Sequence, residues 1–239
     1  MGCVIRLAKV AAAALIAGAL SACGVAGAPA SQPSAPAKIA GCEASADAIA
    51  QAPEVVKTDL DGDGKPESLR RVTQPGLPCT GALVAVIGGR LSGAAVAEPG
   101  KFRVRAVRLA PGGPQYAVVT VTHPRGGFAT HIFGAGDDGL AELTHKGHPL
   151  VAFVATDTNT GYVDAACGDP GSIVVRTARA HEPPGVIATW DIWESTYIVS
   201  GAVVSTAPET KVADNVLPEE MAAKFPTLVK HRILTDCVD

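Results

Sequence analysis

The sequence predicts a mainly β fold: antiparallel sheets of short strands, arranged as a β-sandwich or a partial, propeller-like stack, with one or two short helices. Three observations carry this reading. Short runs rich in Val, Ile and Thr recur along the chain, and most successive runs start about 8–15 residues apart, the spacing of a domain built from hairpins. Turn formers separate them, with 26 Gly and 18 Pro in 239 residues. Aromatic residues are only 4% of the chain, so the core must be filled by aliphatic side chains, and 47% hydrophobic against 18% charged residues leaves enough apolar surface to bury one.

Strands are expected at Ser68–Thr73, Gly81–Ile87, Phe102–Leu109, Gln115–Thr122, Thr130–Phe133, Leu140–Thr144 and Val151–Thr156. Further strands are expected at Tyr162–Ala166, Ser172–Ala178, Val186–Trp193, Thr196–Val199 and Ala202–Thr206. These runs favour the pleated backbone and are separated by Gly, Pro and Asp clusters. Asp137-Asp138-Gly139 and Ser200-Gly201 carry the turn chemistry of tight hairpins. Ala44–Ala52 is Ala-rich and predicts a short helix. Pro218–Lys224 predicts a second, because Pro is tolerated at the first helical position and Glu219 and Glu220 complement the positive end of the helix. No composition break divides residues 42–239, which are expected to form one β-rich domain.

The first 22 residues stand apart. Arg6 and Lys9 precede an apolar run from Val10 to Leu20 that ends in Ser21 and Ala22, the pattern of a secretory signal peptide and too short for a permanent bilayer span. Leu20-Ser21-Ala22-Cys23 resembles the lipobox of bacterial lipoproteins. That resemblance implies lipidation at Cys23 (a diacylglycerol on the thiol and an acyl chain such as palmitate on the new N-terminus) and cleavage before it. Several chains on one residue would hold the protein stably at a membrane, where a single chain binds only marginally. Residues 24–41, GVAGAPASQPSAPAKIAG, are a Pro/Ala/Ser/Gly tract with one charge, so residues 23–41 read as a lipidated Cys and a flexible tether spanning about 20–25 Å. The implied location is the extracytoplasmic face of the cell membrane.

Charge narrows the partners. The chain has 20 Lys+Arg and 23 Asp+Glu, a net of −3. Loss of Arg6 and Lys9 with the signal leaves 18 basic against 23 acidic residues, a net of −5. Neither a nucleic-acid binder nor a polybasic binder of lipid headgroups has that balance.

Cys42, Cys79, Cys167 and Cys237 remain after Cys3 leaves with the signal and Cys23 is lipidated. An even number of widely spaced cysteines in an exported domain, without C-x-x-C pairs, predicts two disulfides rather than a zinc site. Four cysteines allow three pairings; the expected pair set is Cys42–Cys79 and Cys167–Cys237, each closing a local loop.

One motif carries chemistry. Asp59-Leu60-Asp61-Gly62-Asp63-Gly64-Lys65-Pro66-Glu67 places carboxylates at loop positions 1, 3, 5 and 9 and Gly at 6. Alternate positions let Asp59, Asp61 and Asp63 converge on one cation, while Gly64 takes the sharp turn that brings the Lys65 carbonyl inward. An all-oxygen set selects a hard ion, so Ca2+ is expected rather than zinc. An EF-hand needs Glu at position 12, and Arg70 stands there, ahead of a strand-like rather than helical segment. The motif resembles the calcium loop of FG-GAP or VCBS-type repeats, D-x-[DN]-x-D-G-x-x-D entering a β-strand, with Glu67 in place of the final Asp. The resemblance implies a structural Ca2+ held by Asp59, Asp61, Asp63, Lys65 and Glu67. Asp157-Thr158-Asn159-Thr160-Gly161 is a faint echo that reads better as a turn.

The other candidates are weaker. His123, His131, His145, His148, His181 and His231 form no H-E-x-x-H pattern; only His145 and His148 are close, in a turn, and all six read as surface or internally satisfied side chains. No G-x-S-x-G elbow or P-loop is present. Trp190 should face opposite to Trp193 and Tyr197 on a strand, because the offsets are three and seven. The leading reading is therefore a non-catalytic, calcium-stabilised lipoprotein domain with a structural or interaction role, its partners the membrane and an envelope protein or glycan. A cell-wall or glycan-binding module using Trp193 and Tyr197, and a hydrolase with a dispersed site, are the alternatives.

Overall fold

In a computed structural model of the chain, the described residues are 46–75, 79–96, 100–124, 126–154, 162–181 and 189–237. Helix α1 (Ala46–Gln51) leads into β1 (Glu54–Thr58), β2 (Glu67–Arg71), β3 (Leu83–Ile87) and β4 (Arg90–Ala94), an antiparallel meander. A second meander follows: β5 (Lys101–Arg108), β6 (Gln115–Thr122), β7 (Phe128–Gly136) and β8 (Gly139–Glu142). A small hairpin of β9 (Thr144–His145) and β10 (His148–Pro149) intervenes, and β11 (Val151–Val154) returns to the free half of β7. The third meander is β12 (Tyr162–Cys167), β13 (Ser172–Ala180), β14 (Trp190–Ser200) and β15 (Val203–Thr206). Strand β16 (Thr210–Val216) pairs with β14 beyond the end of β15, and α2 (Pro218–Lys224) and α3 (Pro226–Val229) follow.

The apolar run Tyr116-Ala117-Val118-Val119 shows how these sheets combine. A strand with one wet face alternates apolar and polar residues; a near-continuous apolar run is buried on both faces. Ala117, Val119, Val121 and Phe133 pack against Leu69, Leu83, Ala85 and Ile87 of the first sheet. Tyr116, Val118 and Ile132, on the opposite face, pack against Val163, Ala165, Ile173, Val175 and Val199 of the third. The middle sheet is thus the shared layer of a three-sheet stack. Helices cover the outer faces: Ile49 of α1 meets Val72, Ala82 and Val84, while Met221 of α2 and Leu228 of α3 meet Ala178, Trp190 and Ile192.

The expected antiparallel sheets of short strands and short helices are present, and Gln115–Thr122 and Pro218–Lys224 have the bounds read from sequence. Gly136 and Gly139 pair across Asp137-Asp138, and Ser200 and Val203 pair across Gly201-Ala202, so both hairpin turns form where expected. Five strands were not legible, among them β9 and β10, which pair across the segment expected as a turn around His145 and His148. Strand β4 contains Ser92 and Gly93, yet Ser92 is buried because its Oγ accepts from Leu140 N–H at 2.7 Å. Strand β16 is mostly exposed and β1 only partly buried, and both are specified by the partners they pair with. The expected break between Trp193 and Thr196 is absent; Glu194 is accommodated in one long strand because Arg176, its register partner, donates to it at 2.8 Å. Residues 186–188 of the expected Val186–Trp193 strand lie outside the described residues.

Cys167 and Cys237 form the expected disulfide, tying β12 to the C-terminal segment across 70 residues. Cys79 is also disulfide-bonded. Its expected partner Cys42 lies outside the described residues, as do the signal, Cys23, the tether and Asp157–Gly161.

Candidate metal centre

The acidic motif occupies the loop between β1 and β2. Thr58 and Glu67 are register partners, so the hairpin closes immediately outside Asp59 and brings the first and last acids of the motif together. Leu60 anchors the loop from within: it is almost wholly buried in the core between the first two sheets, and its N–H donates to Glu67 Oε2 at 2.7 Å. Gly62 and Gly64 adopt φ of +77° and +85°, left-handed values that a side chain would strain.

Three carboxylates converge. One oxygen each from Asp59, Asp61 and Glu67 lies within 4.8 Å of the others. At that spacing each ionised pair repels by about 1 kcal/mol even at the dielectric constant of water. Asp59 is 8% exposed. Its Oδ2 accepts from Gly64 N–H at 3.2 Å, while its Oδ1 is buried without a protein partner. A buried carboxylate oxygen without a donor is costly, and a cation beside it removes the cost. Burial raises the Glu67 carboxyl above the usual carboxylate range, opposed by the Leu60 N–H; the charges of Asp61 and Asp59 raise it further.

Asp63 stands outside this group. Its Oδ1 accepts from Lys65 N–H at 2.7 Å, and its Oδ2 lies 3.8 Å from the exposed Lys65 ammonium. Asp61 Oδ1 in turn accepts from Asp63 N–H at 3.1 Å. Of the expected set Asp59, Asp61, Asp63, Lys65 and Glu67, the structure therefore brings three carboxylates together and turns the fourth toward Lys65. A three-carboxylate oxygen pocket on a turn suits a hard cation that completes its shell with carbonyls and water.

Sequence reading missed the support beneath the loop. Asp59 N–H donates to Gln115 Oε1 at 2.9 Å, and Gln115 N–H donates to the Asp59 carbonyl at 2.7 Å. Gln115 is 56 residues away, and no local pattern marks it. Also missed was a polar network on the third sheet. Asp191 accepts from Lys211 Nζ at 2.7 Å, from His181 Nδ1 at 2.8 Å and from Asn215 N–H at 3.1 Å. The Lys211 and His181 bonds hold its carboxyl well below the usual range.

No family model, curated protein or solved structure matches this chain. The aromatic candidates are placed by geometry. Trp190 is buried against the C-terminal helices. Trp193 is half-buried, with the cations of Arg179 and Lys211 at 5.2 and 5.1 Å from its ring centroid. Tyr197 packs beside His145 at 5.6 Å and lines a cavity with Ser195, Thr206 and Glu209 that Trp193 does not border.

Proposed function

We propose that this chain is a membrane-anchored extracytoplasmic lipoprotein whose β domain is stabilised by Ca2+ and serves a structural or interaction role. The observation that carries the calcium part is the clustering of the Asp59, Asp61 and Glu67 carboxylates, in which Asp59 also keeps a buried, unpartnered Oδ1. An ion there would tie the two ends of the β1–β2 hairpin together and offset the mutual repulsion of the acids. Asp59, Asp61 and Glu67 would hold it directly, and Leu60 and Gln115 would keep the loop shaped to receive it. The Leu20-Ser21-Ala22-Cys23 motif and the Pro/Ala/Ser/Gly tether support the anchored location. The Cys167–Cys237 disulfide supports an oxidising compartment. The FG-GAP/VCBS-like spacing of Asp59–Glu67 supports calcium over other hard ions.

Membrane fractionation tests the anchored reading. The wild-type chain is expected in the detergent phase, and Cys23→Ser is expected in the soluble fraction or retained with its signal uncleaved. Unchanged partitioning of a processed Cys23→Ser protein would overturn it.

A further inference from the structure

The β9–β10 hairpin places two histidines directly opposite each other. His145 and His148 are direct register partners, and directly opposed residues of an antiparallel pair share one face with Cβ atoms about 4.5–5.5 Å apart. Lys146 and Gly147 between them have φ of +52° and +79°, the paired left-handed values of a tight two-residue hairpin turn. The spacing of their Cβ atoms is therefore set by backbone geometry.

The remaining described histidines are committed elsewhere. His131 Nδ1 bonds to Glu142 at 2.6 Å and His181 Nδ1 to Asp191 at 2.8 Å. His231 stacks on Tyr162 and meets the edge of Phe128, with its Nδ1 buried. His123 is engaged as well. By contrast, neither the His145 ring nor the His148 ring hydrogen-bonds to a described residue. His145 is half-buried against Tyr197, which steadies its ring, and His148 is exposed.

We propose that His145 and His148 form a surface site for a late divalent transition metal, Cu2+ ahead of Zn2+ or Ni2+. Neutral imidazole is the side chain these ions favour among nitrogen and oxygen donors, and Cu2+ heads their affinity order. Two ring nitrogens supply the protein ligands and water completes the shell. Hard Ca2+ does not compete for imidazole, so this site is independent of the acidic loop. Lys146 lies between the ligands and its ammonium opposes a dication. Glu209 lines the cavity beside His145 and Lys146, but its carboxylate is held by both terminal nitrogens of Arg179. The site is consequently an open, exchangeable one.

The test is copper titration of the full-length protein in detergent, followed by calorimetry and electron paramagnetic resonance. Wild type should bind one equivalent saturably, with nitrogen splitting from two imidazoles. His148→Ala and His145→Ala should each weaken binding at least about tenfold, the low end of what loss of a metal-site group costs. Lys146→Ala should tighten it, and Asp61→Ala should leave it unchanged. Melting temperatures without copper should be the same for wild type, His148→Ala and Lys146→Ala, whose side chains are exposed. Absence of saturable binding, or an unchanged affinity and spectrum in His145→Ala and His148→Ala, would overturn the proposal.

Discussion

Asp59 and Gln115 grip each other through two hydrogen bonds: the Asp59 N–H donates to Gln115 Oε1 and the Gln115 N–H to the Asp59 carbonyl, at 2.9 and 2.7 Å. Gln115 opens β6, the strand buried on both faces at the middle of the stack. The first acid of the candidate metal loop is thereby fixed to the central layer of the fold, although it sits at a hairpin end. A ligand set held on a rigid element binds with less ordering cost than one on a free loop.

Gln115→Ala removes the side-chain half of this grip and leaves the Asp59 N–H without its acceptor. The cost of such a buried orphan is about 1–3 kcal/mol. The variant should melt a few degrees lower and bind Ca2+ several-fold more weakly than wild type in a calorimetric titration. Wild-type affinity in Gln115→Ala would show that the loop holds its shape without β6.

Asp164 gives a pH prediction. It is 2% exposed. Burial raises its carboxyl above the ordinary value of 3.8, against the Thr227 hydroxyl and the Arg176 charge that lower it. Thr227 Oγ donates to its Oδ2, and its Oδ1 is buried without a partner. Because the folded state holds this proton more tightly than the unfolded chain, ionisation costs stability as pH rises through the raised value. Asp164→Asn, which mimics the protonated form, should match wild type near pH 3. At pH 7 it should melt above wild type, with the gap opening as pH rises through the raised value. A gap that narrows as pH rises would contradict the assignment.

The Cys167–Cys237 disulfide pins the end of the chain beside Ala165, whose carbonyl and N–H bond to Leu234 and Arg232. Closing a loop of this length is worth about 4 kcal/mol on the chain-entropy model. Cys237→Ser should therefore lower the melting temperature by about 10 °C, given ~2–4 °C per kcal/mol. It should also speed amide exchange at Ala165 and Leu234 more than in β6. A loss under about 2 °C would mean that hydrogen bonds alone hold this segment.

Much of this fold is written locally. The double-sided apolar run of Gln115–Thr122 identifies the central strand, Pro218-Glu219-Glu220 identifies α2, and Asp59–Glu67 identifies the acidic loop, because periodicity, capping and turn chemistry act over a few residues. What escaped is set by distant partners. Ser92 is the buried residue of β4 because Leu140 N–H needs its hydroxyl, 48 residues on. The grip of Gln115 on Asp59 and the convergence of His181 and Lys211 on Asp191 depend on strand pairing that no local pattern states.

The central claim is a Ca2+ held by Asp59, Asp61 and Glu67, and the most direct measurement is the calcium dependence of the melting temperature in wild type and Asp61→Ala. Extracellular modules bind Ca2+ with Kd of roughly 10⁻⁴–10⁻³ M, and an ion that binds only the folded loop stabilises by about 1.4 kcal/mol at ten times Kd. Wild type should therefore melt about 3–5 °C higher in millimolar calcium than in chelator, with a smaller rise in magnesium. Asp61→Ala should remain folded and lose the calcium shift. Equal calcium shifts in wild type and Asp61→Ala, or no shift in wild type, would contradict the account.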